Sequence, residues 1–306
     1  MRTIQLLGLA SLGALAACGD VNGGASTGQL TVLLTDAPFP FSEVERTDIF
    51  VVRVDAQLAE PDSAEAAGEM AGSSNADPGA GWVTIAEPNA AFNLLDLQQG
   101  ATANLGQTTL PTGAYRGFRL ILNTDSSSVT LKDGTVLDGN GNPGIKWPSA
   151  GKTGIKIILD EPIEVVEGGT VMVLDFDLGR SFVLRGNRIH NNGLLFKPVI
   201  RASARDNTGS ISGVVRADSA QGVLVADATV EVLVEGTAVD DTASAKVVQS
   251  TSTDSTGVFQ FGFVLPGTYE LRATSPDTAY SPALASGISV TAGATTSGVL
   301  IVVPHK

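Results

Sequence analysis

Residues 170–178 read Thr-Val-Met-Val-Leu-Asp-Phe-Asp-Leu, directly after the turn residues Glu167-Gly168-Gly169. Successive side chains of a strand point to opposite faces. Met172, Leu174, Phe176 and Leu178 therefore share one apolar face, while Asp175 and Asp177 fall together on the other. The same signature, a short β-rich run bounded by turn residues, extends in both directions. Upstream lie Leu30–Thr35, Ile49–Gln57, Trp82–Ala86, Phe92–Leu97, Tyr115–Asn123, Ser128–Leu131 and Ile155–Leu159. Downstream lie Ser181–Arg185 and Leu195–Ala202. Lys132-Asp133-Gly134, Asp138-Gly139-Asn140-Gly141-Asn142 and Gly186-Asn187 separate runs with the residues that turns prefer. No long amphipathic helix interrupts them, so residues 28–205 predict an all-β sandwich or barrel. Residues 59–81 differ: they carry Glu60, Asp62, Glu65, Glu69 and Asp77, no basic residue, and many Ala, Gly and Ser. That composition reads as a solvated loop.

A second module starts near Gly209. Ile211–Arg216, Val223–Val234, Lys246–Thr253, Val258–Phe261, Thr268–Ala273, Ser286–Val290 and Gly298–Val303 are strand candidates at sandwich-like spacing across residues 209–303. Arg205–Thr208 reads as a short linker. The fold expected is thus all-β, two tandem β-sandwich domains. Hydrophobic residues make up 43% of the 306, enough to fill two cores.

The N-terminus reads as a targeting segment. Arg2 supplies a positive start, and Ile4–Ala14 is apolar but shorter than the roughly 20 residues a bilayer span needs. Leu15-Ala16-Ala17-Cys18 follows, and Cys18 is the chain's single cysteine. This arrangement resembles the bacterial lipobox: cleavage after residue 17, with diacylglycerol on the Cys18 sulfur and an acylated new N-terminus. Several acyl chains hold a protein on a membrane where one alone does so marginally. Gly19, rather than Asp, follows the cysteine. By resemblance to enterobacterial sorting, that implies a place in the cell envelope with the outer membrane favoured. Residues 18–27 form the lipidated cysteine and a Gly/Ser/Asn/Thr tether. With one cysteine there is no internal disulfide, cysteine metal site or second thiol. The net charge of −13 argues against nucleic acid as a partner, because phosphates are repelled.

The residues with most claim to chemistry are Asp175 and Asp177. Two carboxylates roughly 7 Å apart on one strand face can bind Ca²⁺ with Asp36 or loop carbonyls, or imitate a glycosidase acid/base pair. Equally, they can end a strand, cap turns, or, if buried, pair with Arg180 or Lys156. Asp138-Gly139-Asn140-Gly141-Asn142 has oxygen ligands at the spacing of a Ca²⁺ loop. Pro143 stands where that loop needs glycine and Ser149 where it needs glutamate, so a turn is expected. Trp147 offers either a sugar-stacking face or a loop anchor; Trp82, at the start of a strand, reads as core. His190 is the one internal histidine, and no nucleophile elbow, Walker loop or zinc spacing accompanies it.

Several stretches carry family resemblance. Leu34-Thr35-Asp36-Ala37-Pro38, Phe92-Asn93-Leu94-Leu95-Asp96-Leu97, Leu110-Pro111-Thr112-Gly113-Ala114-Tyr115, Thr153-Gly154-Ile155-Lys156-Ile157, Asp175-Phe176-Asp177 and Lys197-Pro198-Val199-Ile200-Arg201 stand in order within residues 28–205. Together they resemble the domain of unknown function 4382 family, which implies an extracytoplasmic, mostly β domain with no reaction attached. Ile211-Ser212-Gly213-Val214-Val215, Ala228-Thr229-Val230, Thr253-Asp254-Ser255-Thr256-Gly257-Val258-Phe259 and Leu265-Pro266-Gly267-Thr268-Tyr269 resemble the carboxypeptidase regulatory-like domain, a carbohydrate-binding-like or prealbumin-like sandwich. One departure is Ala226-Asp227 where a proline usually precedes the Ala-Thr-Val strand. Leu265–Tyr269 and Leu110–Tyr115 both suit a tyrosine corner.

The function expected from these features is a non-catalytic binding module on a lipid anchor. Glycan binding is favoured by the fold analogy of the second domain, against which stands the 5% aromatic content. A structural scaffold binding an envelope protein is the alternative, and a carboxylate hydrolase the third reading. No cofactor is expected beyond the Ca²⁺ that Asp36, Asp175 and Asp177 can offer.

Overall fold

The computed structural model describes residues 26–37, 43–58, 82–148, 153–240 and 246–306. The expected signal at 1–17, Cys18 with most of its tether, and the acidic segment 59–81 lie outside these residues.

Two separate apolar cores divide the chain. The first gathers buried residues from Leu30 to Phe196, the second from Ile211 to Val303. In the first domain the long strands Val44–Leu58 and Gly113–Leu131 run antiparallel and carry Val83–Ala86, Ala90–Asn93, Val136–Leu137 and Ile155–Val165 at their flanks. A second sheet orders Ile200–Ala204, Thr170–Asp177, Thr27–Ala37 and Ala103–Pro111. Its two central strands pair in parallel. Such central strands are covered on both faces, and Thr170–Asp177 accordingly buries nearly every side chain. Phe118, Phe176, Phe182 and Phe196 are wholly buried, each gaining about 2–3 kcal/mol by leaving water.

The second domain is a sandwich of the kind expected. Val258–Val264, Gly209–Ala217 and Thr295–Val303 form one sheet; Val247–Ser252, Thr229–Val234, Gly267–Thr274 and Ala283–Val290 form the other. Phe259, Phe261, Val230, Leu271 and Ile301 fill the space between. Asp254 closes its hairpin by accepting the Thr256 and Val258 amides, and Gly257 takes a positive φ of 70°.

Several boundaries differ from the sequence reading, each for a local reason. Tyr115–Asn123 and Ser128–Leu131 are one strand, because the buried Ser127 hydroxyl donates to the Asn123 carbonyl and accepts the Phe50 amide, carrying the ladder through a polar stretch. Leu195–Ala202 is instead two strands, broken at Pro198, which has no N–H to give. Phe92–Leu97 becomes a strand only to Asn93 and then a 3₁₀ turn, Leu94–Leu97. The edge strand Ala103–Pro111 carries no strand signature in the sequence, because its residues are mainly polar and half exposed.

Both tyrosine corners are present. The Tyr115 hydroxyl donates to the Pro111 carbonyl at 3.1 Å, and Tyr269 to Leu265 at 2.9 Å. Burial pushes the Tyr115 phenol up to about 12. Tyr115→Phe is expected to cost about 1 kcal/mol in urea unfolding, the net worth of such a bond. Tyr269→Phe should cost less, since its bond is open to water.

Candidate functional site at the joint between the domains

The strand Thr170–Asp177 ends where the two domains meet. Alternation places Asp175 and Asp177 on one face, as expected, with Met172, Leu174 and Phe176 fully buried on the other. Leu178 instead starts a short helical turn, Leu178–Ser181, capped by Asp177 Oδ1 accepting the Arg180 amide at 3.0 Å. Both aspartates are buried. Their cation is Arg201, which the antiparallel register sets directly opposite Asp175. Its guanidinium lies 3.4 Å from Asp175 Oδ2 and 3.5 Å from Asp177 Oδ2, so one charge serves two carboxylates. Arg180, one of the two partners foreseen, comes within 3.9 Å of Asp177, whereas Lys156 pairs in the other sheet opposite Arg119.

Burial pushes the Asp177 carboxyl up to about 6, with Arg201 pulling it back and Asp175 adding to the rise. Asp175 is raised as well by burial, against the pull of Arg201 and the Gln249 amide. Gln249 belongs to the second domain. Its Nε2 donates to Asp175 Oδ2 at 2.9 Å and to the Gly262 carbonyl at 3.0 Å. Arg180 crosses the other way, its Nη1 donating to the Val247 carbonyl at 2.9 Å. Beside this clasp the backbones of the two domains touch: a Cβ on Gly262 would lie 3.1 Å from the Gly100 Cα. The recess between Thr35, Asp175, Gln249 and Gln260 measures about 20 Å³, room for roughly one water and no larger ligand.

Asp36 does not join its expected partners. The parallel register aligns Asp36 with Phe176 and Thr35 with Asp175, which puts Asp36 on the other sheet face. There its Oδ1 accepts the Leu178 amide at 3.1 Å. Among the described residues no three His, Cys, Asp or Glu side chains are grouped to hold a metal ion. Asp36, expected beside Asp175 and Asp177 as a calcium ligand, is thus turned by register to the opposite sheet face, while the Asp175 and Asp177 carboxylates face Arg201.

The remaining candidates are accounted for locally. Asp138 Oδ1 accepts the Asn140 and Gly141 amides, the turn chemistry expected of that loop. Trp147 packs against Phe196 at 4.7 Å and Phe182 at 5.9 Å between ring centroids, an anchor and not a free platform. Trp82 lies 4.7 Å under the Arg119 guanidinium. His190 sits on the surface, 3.6 Å from Asp133 and 3.9 Å from Glu43. Sequence reasoning missed Arg201 and Gln249 as partners of Asp175, and it missed Asp55. The Asp55 carboxylate is wholly buried between Arg119 and Arg53.

Comparison with known proteins agrees with the domain order. No curated protein matches the chain. Among solved structures, one is a mutant type II cohesin–X-dockerin complex from Acetivibrio cellulolyticus (25% identity, 30% of this chain and 56% of that one, TM-score 0.22). Another is a putative carbohydrate binding protein from Bacteroides uniformis (19%, 31% and 40%, TM-score 0.23). A third is the minor pilin of Streptococcus agalactiae (13%, 91% and 96%, TM-score 0.25). The chain spans about half the length, or less, of the first two. The family model described as carboxypeptidase regulatory-like domain matches residues 210–303. The model described as domain of unknown function (DUF4382) matches residues 27–198, more than half of the chain, and the protein belongs to that family.

Proposed function

We propose that this protein is a non-catalytic binding module of the bacterial cell envelope, held on the membrane by lipid at Cys18, its two β domains clasped into one stem. The observation that carries this reading is the Gln249–Asp175 bond. The carboxylate with the best claim to catalysis is buried, ion-paired and bonded to the neighbouring domain, with a recess of about 20 Å³ beside it. A glycosidase pair needs a cleft in which both carboxylates flank a sugar. Asp175, through Gln249, and Arg180, through the Val247 carbonyl, instead tie one domain to the other, which suits a stem that presents a surface to an envelope component.

The anchor is tested in cells. Wild-type protein should sediment with membranes, and its N-terminal peptide should begin at a diacylglyceryl-modified Cys18 by mass spectrometry. Cys18→Ser should lose the lipid and leave the membrane fraction under mild extraction. An intact residue 1 on envelope-derived protein would end this proposal. Turnover of a chromogenic glycoside, abolished by Asp175→Asn, would end the non-catalytic part.

A further inference from the structure

Away from the joint, the first domain carries a wider recess of about 270 Å³, close to the lower bound of about 300 Å³ for small-molecule sites. It lies on the outer face of the small sheet formed by Phe182–Leu184, Leu194–Phe196 and Ile145–Lys146. In that sheet Ile145 and Leu194 point into the core, so the adjacent Lys146 points outward. The next row contains Arg185, whose amide donates to the Gly193 carbonyl, and Gly144, whose carbonyl accepts the Leu194 amide. Glycine floors that row because nothing larger fits. A Cβ on Gly144 would lie 2.4 Å from the Gly141 oxygen. The floor is thus bare backbone, with Lys146 and Arg185 standing at its edges and Asn142 on the loop beside it.

Charge sets this place apart. The chain carries −13 overall, yet no carboxylate lines the recess among the described residues. Lys146 and Arg185 form no ion pair among them either. Asp138, the carboxylate of the neighbouring loop, is turned back on its own loop amides. Two solvent-facing cations left uncommitted beside a concave glycine floor form a site for an anion. The Asn142 side-chain amide adds hydrogen-bonding edges of the kind that sugar hydroxyls need. Arg185 supplies a planar fork suited to a carboxylate, and Lys146 a mobile point charge.

We propose that this recess binds an acidic sugar unit, its carboxylate held by Arg185 and Lys146 and its hydroxyls by the 139–144 loop. This goes beyond the proposed function, because it concerns a different site and does not depend on the anchor.

The test titrates the full mature protein in detergent with three probes: a short uronic-acid oligosaccharide, its neutral counterpart, and inorganic phosphate. The uronate should bind, weaken as salt is raised, and lose about tenfold in affinity with either Arg185→Gln or Lys146→Gln, the worth of one charge-assisted contact. Both positions are exposed, so unchanged melting temperatures should show that the variants are folded. The neutral sugar should not bind. Equal affinity for neutral and acidic sugars would overturn the proposal, as would undiminished binding in the variants. Phosphate binding as tightly as the uronate would reduce the recess to a bare anion site and overturn the sugar assignment.

Discussion

Asp55→Ala should lower the unfolding free energy of the first domain by about 3–5 kcal/mol, the range for removing one member of a buried ion pair. The Asp55 carboxylate has no solvent exposure, and its residue lies in the strand Val44–Leu58 directly opposite Arg119 of Gly113–Leu131. Arg119 donates to it at 2.6 and 2.9 Å, Thr84 at 2.9 Å, and Arg53 lies 3.2 Å away. The arginine side chains are only 13% and 14% exposed. Removing the carboxylate therefore takes a buried counter-charge from two poorly hydrated cations, one of them already covered by Trp82. Asp55→Asn should cost less, because the amide oxygen still accepts one donor while the charge is lost. The double change Asp55→Leu with Arg119→Met should recover part of the loss, since a well-packed apolar pair can replace a buried ionic one. Urea unfolding of the three variants checks the order, and an Asp55→Ala cost below 1 kcal/mol would show that water already reaches the cluster.

The fold was legible wherever burial follows periodicity. The alternation at 170–178 and the turn residues around it announced a strand, and it is one through Asp177. Among the described residues the second module has the seven strands its spacing implied, although Val223–Val234 contracts to Thr229–Val234. Expectations failed where a strand is polar, as in Ala103–Pro111, or where a polar turn is absorbed into a strand, as at Ser127. The candidate site was half legible. That Asp175 and Asp177 share a face follows from the two-residue repeat of any strand. That Asp36 faces away does not, because a parallel register depends on contacts across more than 130 residues of sequence. Arg201 could be found only by knowing which strand lies beside Thr170–Asp177. Gln249 carries no signal at all: its importance comes from the way one domain docks on another, and a neutral amide in a Thr/Ser-rich strand looks like any surface residue.

Arg201→Met should have a cost that depends steeply on pH, and this follows from one guanidinium serving two buried carboxylates. Unfolded, the Asp177 carboxyl titrates near 3.9; folded, burial lifts it to about 6 despite the pull of Arg201. Between those values the folded chain holds more protons than the unfolded one, so stability falls as pH rises through the window. The contribution is fully present below about pH 4 and lost above pH 6, amounting to about 3 kcal/mol for a shift of this size. Asp175 moves in the same direction and deepens the trend. Asp133 and Asp254, held low by hydrogen bonds in their own turns, act oppositely and only in more acidic solution. Wild-type protein should therefore be more stable near pH 5 than near pH 7.5 in urea titrations. Asp177→Asn should flatten that slope while keeping the acceptor for the Arg180 amide. Removing Arg201 at pH 7.5 leaves two buried anions with Arg180 as the nearest remaining cation, 3.9 Å from Asp177, and should cost about 3–5 kcal/mol. At pH 5 the carboxyls of the variant take up protons more readily than before, and most of that cost should vanish. A cost that stays constant from pH 5 to 8 would mean that these aspartates are hydrated in solution, and with that the clasp between the domains would lose its physical basis.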